Sequence, residues 1–201
     1  MDDLAKEYVI SFFDRTLRSH GDRPEALRWT AQGQIRHYEC LLEVATCLEG
    51  SSILDYGCGK GDFYQFLKDR NISVHYTGFD INENLISLAK SKFPECEFRV
   101  FDAEKDIISS EYDYIFLCGV FNLRVQDIDK TIKNTLLTLM PHCRRALAFN
   151  ALSSHDPGKS PELNYLSPGD MADFAIMHLS SRISLIHDRI PYDFTLIIRK
   201  G

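Results

Sequence analysis

The sequence lacks the features that mark membrane, disulfide-stabilised and nucleic-acid-binding proteins. No apolar run approaches the roughly 20 residues that a membrane-spanning helix needs. The six cysteines are scattered and include no C-x-x-C pair, so neither a zinc ribbon nor a redox dithiol is indicated. The net charge is -6, whereas a partner made of phosphates favours a basic face. We therefore expect no membrane association, and the charge argues against a nucleic-acid partner.

The chain also begins without a targeting signal, because Met1, Asp2 and Asp3 are not followed by a basic and then apolar leader. Its hydrophobic content of 44% and charged content of 26% are typical of a globular protein. A length of 201 residues suits one compact domain with a substantial core. The histidines show no metal-ligand spacing. These features predict a cytoplasmic protein without a metal, and they indicate nothing about its oligomeric state.

Two common nucleotide-binding motifs are missing as well. The glycines alternate at Gly57, Gly59 and Gly61, and Asp62 stands where the dinucleotide motif G-x-G-x-x-G requires its third glycine. No G-x-x-x-x-G-K-[ST] sequence is present, which argues against a P-loop. The carboxylate of Asp55, just before the glycines, would repel a pyrophosphate but suits a ligand with a cationic amino-acid group. A strand, this glycine turn and a following helix N-terminus together form a ligand cradle.

The turn resembles the first motif of the class I S-adenosylmethionine-dependent methyltransferases, L-D-x-G-C-G-x-G. Residues 54–61 match it at every specified position, including Cys58. Asp80, followed by Ile81, ends the next predicted strand about 20 residues past the glycines, where a carboxylate suits the ribose hydroxyls. The resemblance covers residues 51–199. It implies methyl transfer as the activity and S-adenosyl-L-methionine as the cofactor.

The resemblance also implies roles after the third and fourth strands. Asp102 is expected to face the adenine amino group, and the backbone N–H of Ala103 a ring nitrogen. Cys118 and Gly119 flank the expected cofactor pocket, because ligands bind where the strand order of such a sheet reverses. The predicted cofactor-binding residues are Asp55, Gly57, Cys58, Gly59, Gly61, Asp80, Ile81, Asp102, Ala103, Cys118 and Gly119.

The hydrophobic pattern predicts strands alternating with helices, ending in an antiparallel pair of strands. The predicted strands are 51–54, 73–79, 96–101, 112–119, 146–149, 182–187 and 194–199. The predicted helices are 2–18, 31–48, 62–70, 82–94, 125–140 and 170–179. The resulting fold class is α/β, a Rossmann-like doubly wound sheet, for which the resemblance implies seven strands with the last antiparallel. Residues 1–50 form an N-terminal helical segment, interpreted as a lid on the substrate side, and residues 51–201 form the cofactor-binding core.

The sequence contains three candidates for a general base: His155, His187 and Tyr165. The sulfonium of S-adenosylmethionine already activates the methyl group, so a base is needed only if the acceptor arrives protonated. Each histidine precedes an aspartate, which raises its basicity, but a solvated surface histidine is the competing interpretation. The predicted substrate-binding residues are Trp29, Asn122 and Asn150.

The resulting hypothesis is methyl transfer to an oxygen or nitrogen of a small molecule. The Asn/Asp-Pro-Pro-Tyr/Phe signature of amino-group methyltransferases is missing after the fourth strand, which argues against a DNA adenine or glutamine amide as substrate. Two alternatives stay open: non-methyl chemistry with the same cofactor, such as cyclisation, and a non-catalytic cofactor-binding partner module. The intact glycine and acidic positions count against the partner module. No motif identifies the acceptor.

Overall fold

The computed structural model describes residues 1–201, which form seven strands and six α-helices. The helices are α1 (Asp3–His20), α2 (Ala31–Leu42), α3 (Asp62–Asp69), α4 (Glu83–Lys92), α5 (Ile128–Leu139) and α6 (Pro168–His178). The strands are β1 (Ser52–Tyr56), β2 (His75–Asp80), β3 (Glu97–Val100), β4 (Tyr112–Leu117), β5 (Cys143–Leu152), β6 (Ile183–Ile186) and β7 (Asp193–Arg199). Short 3-10 helices cover Pro24–Leu27 and Met140–His142.

All seven strands form one sheet in the order β3-β2-β1-β4-β5-β7-β6. Strands β1 to β5 are parallel, and β7 runs antiparallel to both β5 and β6. The predicted seven-stranded Rossmann-like sheet with an antiparallel last strand is therefore confirmed. The strand order reverses between β1 and β4, and a crevice forms beyond the carboxyl ends of the strands at such a point.

The sheet is buried on both faces, as a parallel sheet requires. Successive residues of β1 point to opposite faces. Leu54 belongs to a core cluster of 22 buried residues on one face, and Ile53 to a cluster of 19 on the other. Ile115 and Phe116 of β4 divide in the same way, and both are fully buried. This double coverage explains the continuous apolar run of β4.

Three elements differ from their predicted bounds by three residues or more. Helix α2 ends at Leu42 rather than at residue 48, because the next three N–H groups bond to carbonyls three residues back and tighten the chain. Helix α5 begins at Ile128 rather than at residue 125, since Asp127 has the left-handed φ of 54°. Strand β5 extends to Leu152, so Asn150 lies inside it instead of following it.

The N-terminal helix α1 lies across the loops that follow β2 and β3. Asp2 caps its first turn by accepting a bond from the N–H of Ala5 at 2.8 Å. The side-chain amide of Asn82, just after β2, donates to Asp14 of α1 at 2.8 Å. These contacts place α1 at the carboxyl ends of the strands. Neither α1 nor any other helix combines the length and the apolar character that crossing a membrane requires.

A buried lysine connects the glycine turn to the chain after α1. Lys60 is only 2% exposed, and its ammonium lies 2.6 Å from Asp62 and 3.1 Å from Asp22. Lys92 of α4 lies 2.8 Å from Asp22 and 3.4 Å from Asp62. Two cations and two anions therefore balance one another, as buried charges must. The network holds the loop after α1 against the start of α3.

Candidate active site

A cavity of about 330 Å³ opens at the carboxyl ends of β1 to β4. Its floor is formed by the residues that end these strands, and α1 with residues 27–29 forms its cover. The volume lies within the range of about 300–1,000 Å³ that small-molecule sites occupy. The cavity stands where the strand order reverses, so the topology and the cavity locate the same site.

The glycine turn forms the innermost wall. Gly57 has a φ of +78°, and a Cβ there would lie 2.4 Å from the Cγ2 of Val120. The N–H groups of Gly57 and Cys58 donate to the carbonyl of Phe79 at 2.7 and 3.0 Å, which holds the turn against β2. The wall can therefore be approached closely by a ligand, and only glycine fits it.

Asp80 lies beside this turn, on the cavity wall with Ile81. Its two carboxylate oxygens accept the backbone N–H groups of Gly59 at 2.8 Å and Asn82 at 2.9 Å. Burial raises the pKa of Asp80, and these N–H bonds offset part of the rise. Each oxygen has lone-pair capacity left for a further donor, so the carboxylate can still accept hydroxyl groups from a ligand.

Asp102 and Ala103, after β3, line the cavity and meet α1. The ammonium of Lys6 lies 2.9 Å from Asp102 and 2.6 Å from Glu104, and its side chain is only 8% exposed. Burial opposes the charge of Lys6, but the two carboxylates prevail and raise its pKa above the ordinary value. This buried ion pair attaches α1 to the loop predicted to contact adenine.

Three predicted cofactor residues lie behind the cavity wall rather than on it: Asp55, Cys58 and Gly61. Asp55 is 2% exposed and accepts the hydroxyl of Tyr76, and burial raises its pKa to about 7. Burial also raises the pKa of the Cys58 thiol, which keeps it neutral. A Cβ on Gly61 would lie 3.0 Å from the ring of Phe93. These residues support the turn from behind, and their direct contact with a ligand stays a prediction.

The remaining predicted cofactor residues, Cys118 and Gly119, lie on the cavity wall together with Trp29 and Asn122. A Cβ on Gly119 would lie 2.5 Å from Cζ2 of the Trp29 indole. The side-chain oxygen of Asn122 is buried without a hydrogen-bond partner. Asn150 is 1% exposed and lies off the wall, and its side-chain oxygen accepts the N–H of Gly119 at 2.8 Å. Asn150 thus shapes the wall instead of lining it.

The candidate bases are not brought to the cavity, because none of His155, His187 and Tyr165 lines it. The two histidines are exposed and face each other with ring centroids 6.1 Å apart. The hydroxyl of Tyr165 accepts the N–H of Ser160 at 2.8 Å within its own loop. His155 and His187 follow strands β5 and β6, but neither reaches the cavity.

Sequence reasoning missed most of the apolar wall. Phe13 of α1, Phe121 and Leu123 after β4, and Leu163 of the loop after β5 all line the cavity. Only Phe13 had a usable signal, because it belongs to the apolar face of an amphipathic helix. The two loops instead meet through backbone bonds, and the N–H of Asn164 donates to the carbonyl of Asn122 at 2.9 Å. Nothing in the local sequence indicates that pairing.

The fold is Rossmann-like, and its cavity lies at the carboxyl ends of the strands, walled by a glycine turn and two strand-end carboxylates. A family model described as a methyltransferase domain matches residues 53–142. Rv1506c of Mycobacterium tuberculosis, a protein named as a methyltransferase, is 30% identical over 171 residues, which cover 80% of this chain and 99% of that protein. The chain belongs to the class I S-adenosylmethionine-dependent methyltransferases, and S-adenosylmethionine is its cofactor.

Solved structures agree with this fold. Magnesium protoporphyrin IX methyltransferase from Synechocystis PCC 6803, crystallised with S-adenosylmethionine, has a TM-score of 0.69 at 18% identity. The similarity covers 100% of this chain and 98% of that one. DhpI in complex with S-adenosylhomocysteine has a TM-score of 0.70 at 16% identity, covering 100% and 99% of the two chains. At these identities the likeness shows the shared fold.

Proposed function

We propose that the protein transfers the methyl group of S-adenosylmethionine to an oxygen or nitrogen of a small molecule whose body is neutral and largely apolar. The observation that carries this proposal is the charge balance of the cavity. Every charged group on its wall already has a partner within the protein. A charged acceptor would therefore enter a buried site that offers it no counter-ion, which is costly.

The charged groups on the wall are few. Lys6 is paired with Asp102 and Glu104, and the N-terminal amine of Met1 is also paired with Glu104. Arg28 lies 3.3 Å from Glu162. The remaining wall carboxylate, that of Asp80, accepts two backbone N–H groups. These pairings leave no charged side chain free for an ionic acceptor.

The apolar wall supplies the binding energy for such an acceptor. Phe13, Phe121, Leu123 and Leu163 come from three separate segments and surround the same space. Burying apolar surface there contributes about 25 cal/mol per Å². The unpartnered oxygen of Asn122 adds one place where an O–H or N–H of the acceptor can donate.

The chemistry that we propose needs no base from the protein. The titratable uncharged groups on the wall are Tyr56 and Cys118, and burial raises the pKa of both well above the ordinary values. Neither is ionised at neutral pH, so neither can accept a proton there. The acceptor atom must then present its own lone pair, as a neutral amine or an acidic hydroxyl does. The protein aligns this atom and excludes water.

The cofactor is proposed to lie along the strand ends. Asp80 would accept the ribose hydroxyls, Asp102 and Ala103 would meet the adenine, and the turn at Gly57 and Gly59 would hold the amino-acid end. When bound, the cofactor supplies a methyl group activated by its sulfonium. Fit is supported by the open lone pairs of Asp80 and by the exposed backbone of Gly57, which has a left-handed φ and no side chain.

The N-terminal segment is proposed to act as a lid. Helix α1 and Trp29 cover the cavity, and the ion pair between Lys6 and Asp102 closes it next to the proposed adenine position. The cofactor could then enter only while this cover is open. The segment would then also exclude water during transfer.

The proposal is tested with tritium-labelled S-adenosylmethionine and matched acceptors. Aromatic amines and phenols with a neutral body are compared with the same compounds carrying a carboxylate or a quaternary ammonium, and with DNA and RNA oligonucleotides. We expect label in the neutral set. Label confined to the charged compounds or to the oligonucleotides would show the proposed acceptor class to be wrong.

A matched pair of variants links that result to the cavity. Leu163→Lys places a charge on the apolar wall and should raise the KM of a neutral acceptor by about tenfold, the cost of roughly 1.4 kcal/mol. Leu137→Lys makes the same change on the exposed face of α5, off the cavity, and should leave KM unchanged. Equal effects of the two changes would argue against this wall as the acceptor site.

A further inference from the structure

A buried row of polar groups runs from α2 to the cavity wall. Nε2 of His37 lies 3.1 Å from the carboxylate of Asp193, at the start of β7. The same carboxylate oxygen accepts the side-chain amide of Asn150 at 3.4 Å. The other end of that amide accepts the N–H of Gly119 at 2.8 Å, and Gly119 lines the cavity. Three elements distant in sequence thus converge on one glycine of the site.

The hydrogen-bond geometry suits a protonated His37. Its Nδ1 lies 2.7 Å from the carbonyl oxygen of Gly33, and its Nε2 faces the carboxylate of Asp193. The carbonyl can only accept, so Nδ1 carries a proton, and an ionised Asp193 accepts from a second proton on Nε2. Burial lowers the pKa of His37, but the bond and charge of Asp193 and the Gly33 carbonyl raise it above its ordinary value. The pair is a buried imidazolium and carboxylate, 7% and 3% exposed as residues.

Trp29 lies against the same imidazolium. The two rings have centroids 4.6 Å apart, within the reach of a cation–π contact. The indole also touches Gly119, since Cζ2 lies 2.5 Å from where a Cβ of that glycine would stand. His37 and Asp193 therefore reach Gly119 by two routes, one through the Trp29 ring and one through the Asn150 amide.

The pair is poorly suited to stability alone. The second carboxylate oxygen of Asp193 is buried without any hydrogen-bond partner. A buried acceptor left unpaired costs about 1–3 kcal/mol, and replacing a buried ion pair by apolar residues is often neutral or stabilising. A structural role would be served better by apolar packing, which favours a role in the site.

We propose that His37 and Asp193 are positioning residues for methyl transfer, which hold Trp29 and Gly119 in place where the acceptor meets the methyl group. Neither residue lines the cavity, so neither touches substrate or cofactor. This inference rests on the proposed function, because Gly119 and Trp29 matter for the acceptor only if the acceptor occupies the apolar part of the cavity. Loss of the pair should impair transfer more than cofactor binding.

The charged and titratable neighbours of the pair are known. Burial raises the pKa of the Cys40 and Cys118 thiols, and the nearby Asp193 carboxylate raises it further, so both stay neutral. Burial also raises the pKa of Asp193, whereas His37, the amide of Asn150 and His187 lower it. Among these groups, only His37 lies within ion-pair distance of the carboxylate.

The single tryptophan of the chain provides a direct spectroscopic test. Trp29 emission is quenched by a contacting imidazolium, so in the wild-type protein it should rise as the pH increases through the raised pKa of His37. His37→Gln should abolish this pH dependence. His37→Gln and Asp193→Asn should also increase quenching of Trp29 by acrylamide about twofold in the complex with S-adenosylhomocysteine, because the cation–π contact that holds the indole is lost. The control is His142→Gln, whose ring bonds to the carbonyl of Ser110 away from the cavity.

Kinetics separate positioning from folding. Both variants should bind S-adenosylhomocysteine within about twofold of the wild type, while kcat for an acceptor falls about tenfold, since misplacement by about 1 Å has large effects on transfer. Asp193→Glu, which keeps the carboxylate, should recover part of the rate. If a variant fails to fold, the pH dependence of wild-type Trp29 emission still tests whether a protonated His37 contacts Trp29.

Two results would overturn the inference: wild-type Trp29 emission that does not change with pH, or variants that fold and retain full kcat. These outcomes are distinct from failure of the proposed function. A wrong acceptor class leaves wild-type protein inactive on every neutral compound, yet the fluorescence and acrylamide results require no acceptor. Fluorescence that behaves as expected in an enzyme inactive on neutral compounds would therefore reject the acceptor class and retain the positioning of Trp29.

Discussion

The two halves of the cavity are built in different ways. The proposed cofactor half consists of strand ends that follow one another in sequence, and it offers backbone groups and the carboxylates of Asp80 and Asp102. The proposed acceptor half combines residues 27–29, 120–123 and the loop around Leu163, and its surface is mainly apolar side chains. Gly119 lies where the two halves meet. A ligand common to a whole family can be held by local chain geometry. An acceptor specific to one protein is held by contacts between distant segments.

The largest effect is expected where the two halves touch. In Gly57→Ala the alanine must adopt a left-handed φ, which costs about 1–2 kcal/mol. Its Cβ also displaces Val120, which stands at 2.4 Å. Affinity for S-adenosylhomocysteine, measured by titration calorimetry, should fall about tenfold or more.

Two further variants divide that effect into its parts. Gly57→Ala with Val120→Ala should regain the steric part only. Gly50→Ala imposes the same φ strain at +70° with nothing within 4 Å, and should lower stability without changing affinity. A Gly57→Ala protein that binds S-adenosylhomocysteine normally would contradict the view that backbone geometry forms the cofactor half.

The next largest effect is expected when one polar side chain in each half is replaced. Asp80→Asn replaces one of two accepting oxygens by an amide NH2 group, which cannot accept the N–H of Gly59 or Asn82. Cofactor affinity should fall about tenfold, the equivalent of roughly 1.5 kcal/mol for a bond to a charged group. Asn122→Ala, in the acceptor half, should leave calorimetric affinity unchanged and raise the acceptor KM. The reverse pattern would contradict the assignment of the halves.

A smaller effect is expected from the cover that both halves share. Lys6→Met leaves Asp102 and Glu104 without their buried cation, so α1 should open more often. Hydrogen exchange in residues 3–20 should accelerate by about tenfold, the result of losing roughly 1.4 kcal/mol of local stability. Lys105→Met removes an exposed cation that lies 3.3 Å from Asp3 and 3.8 Å from Asp102, and should change little. Equal exchange in the two variants would remove the support for a lid held by Lys6.

The smallest effect on binding is expected at Asp55. Burial raises its pKa in the folded protein to about 7, above the value of about 3.9 of an unfolded chain. The stability that this group contributes is therefore complete below about pH 3.9 and is lost as the pH rises through about 7. Asp55→Asn stays neutral, so its melting temperature should fall less than that of the wild type between pH 5 and about pH 8.

Cofactor affinity gives the counterpart to this result. Asp55 lies behind the wall, so Asp55→Asn should change affinity for S-adenosylhomocysteine by less than about twofold, far less than Asp80→Asn. A loss as large as that of Asp80→Asn would restore Asp55 as a direct ligand and extend the cofactor half beyond the cavity wall.

The same contrast explains which residues of the site the sequence alone could predict. The glycine turn, Asp80 and Asp102 could be placed because strand periodicity and a short motif act over a few residues. His37 could not be found, since its partner Asp193 is 156 positions away (193 minus 37) and no spacing rule links them. For a related reason, the sequence did not indicate that Asn150 lies inside β5. The length of β5 depends on its pairing with β7, which begins at Asp193.

Lys60 occupies one of the two positions that the glycine motif leaves unspecified, yet its ammonium contacts Asp22 of the loop after α1. In this protein, that position is therefore constrained by a segment outside the motif. An aligned set of relatives should show the two positions changing together. Chains that lose the lysine should more often lose the acid, since Asp22 would then keep only Lys92 as a partner. Such paired changes would show that the chain before the core constrains the glycine motif.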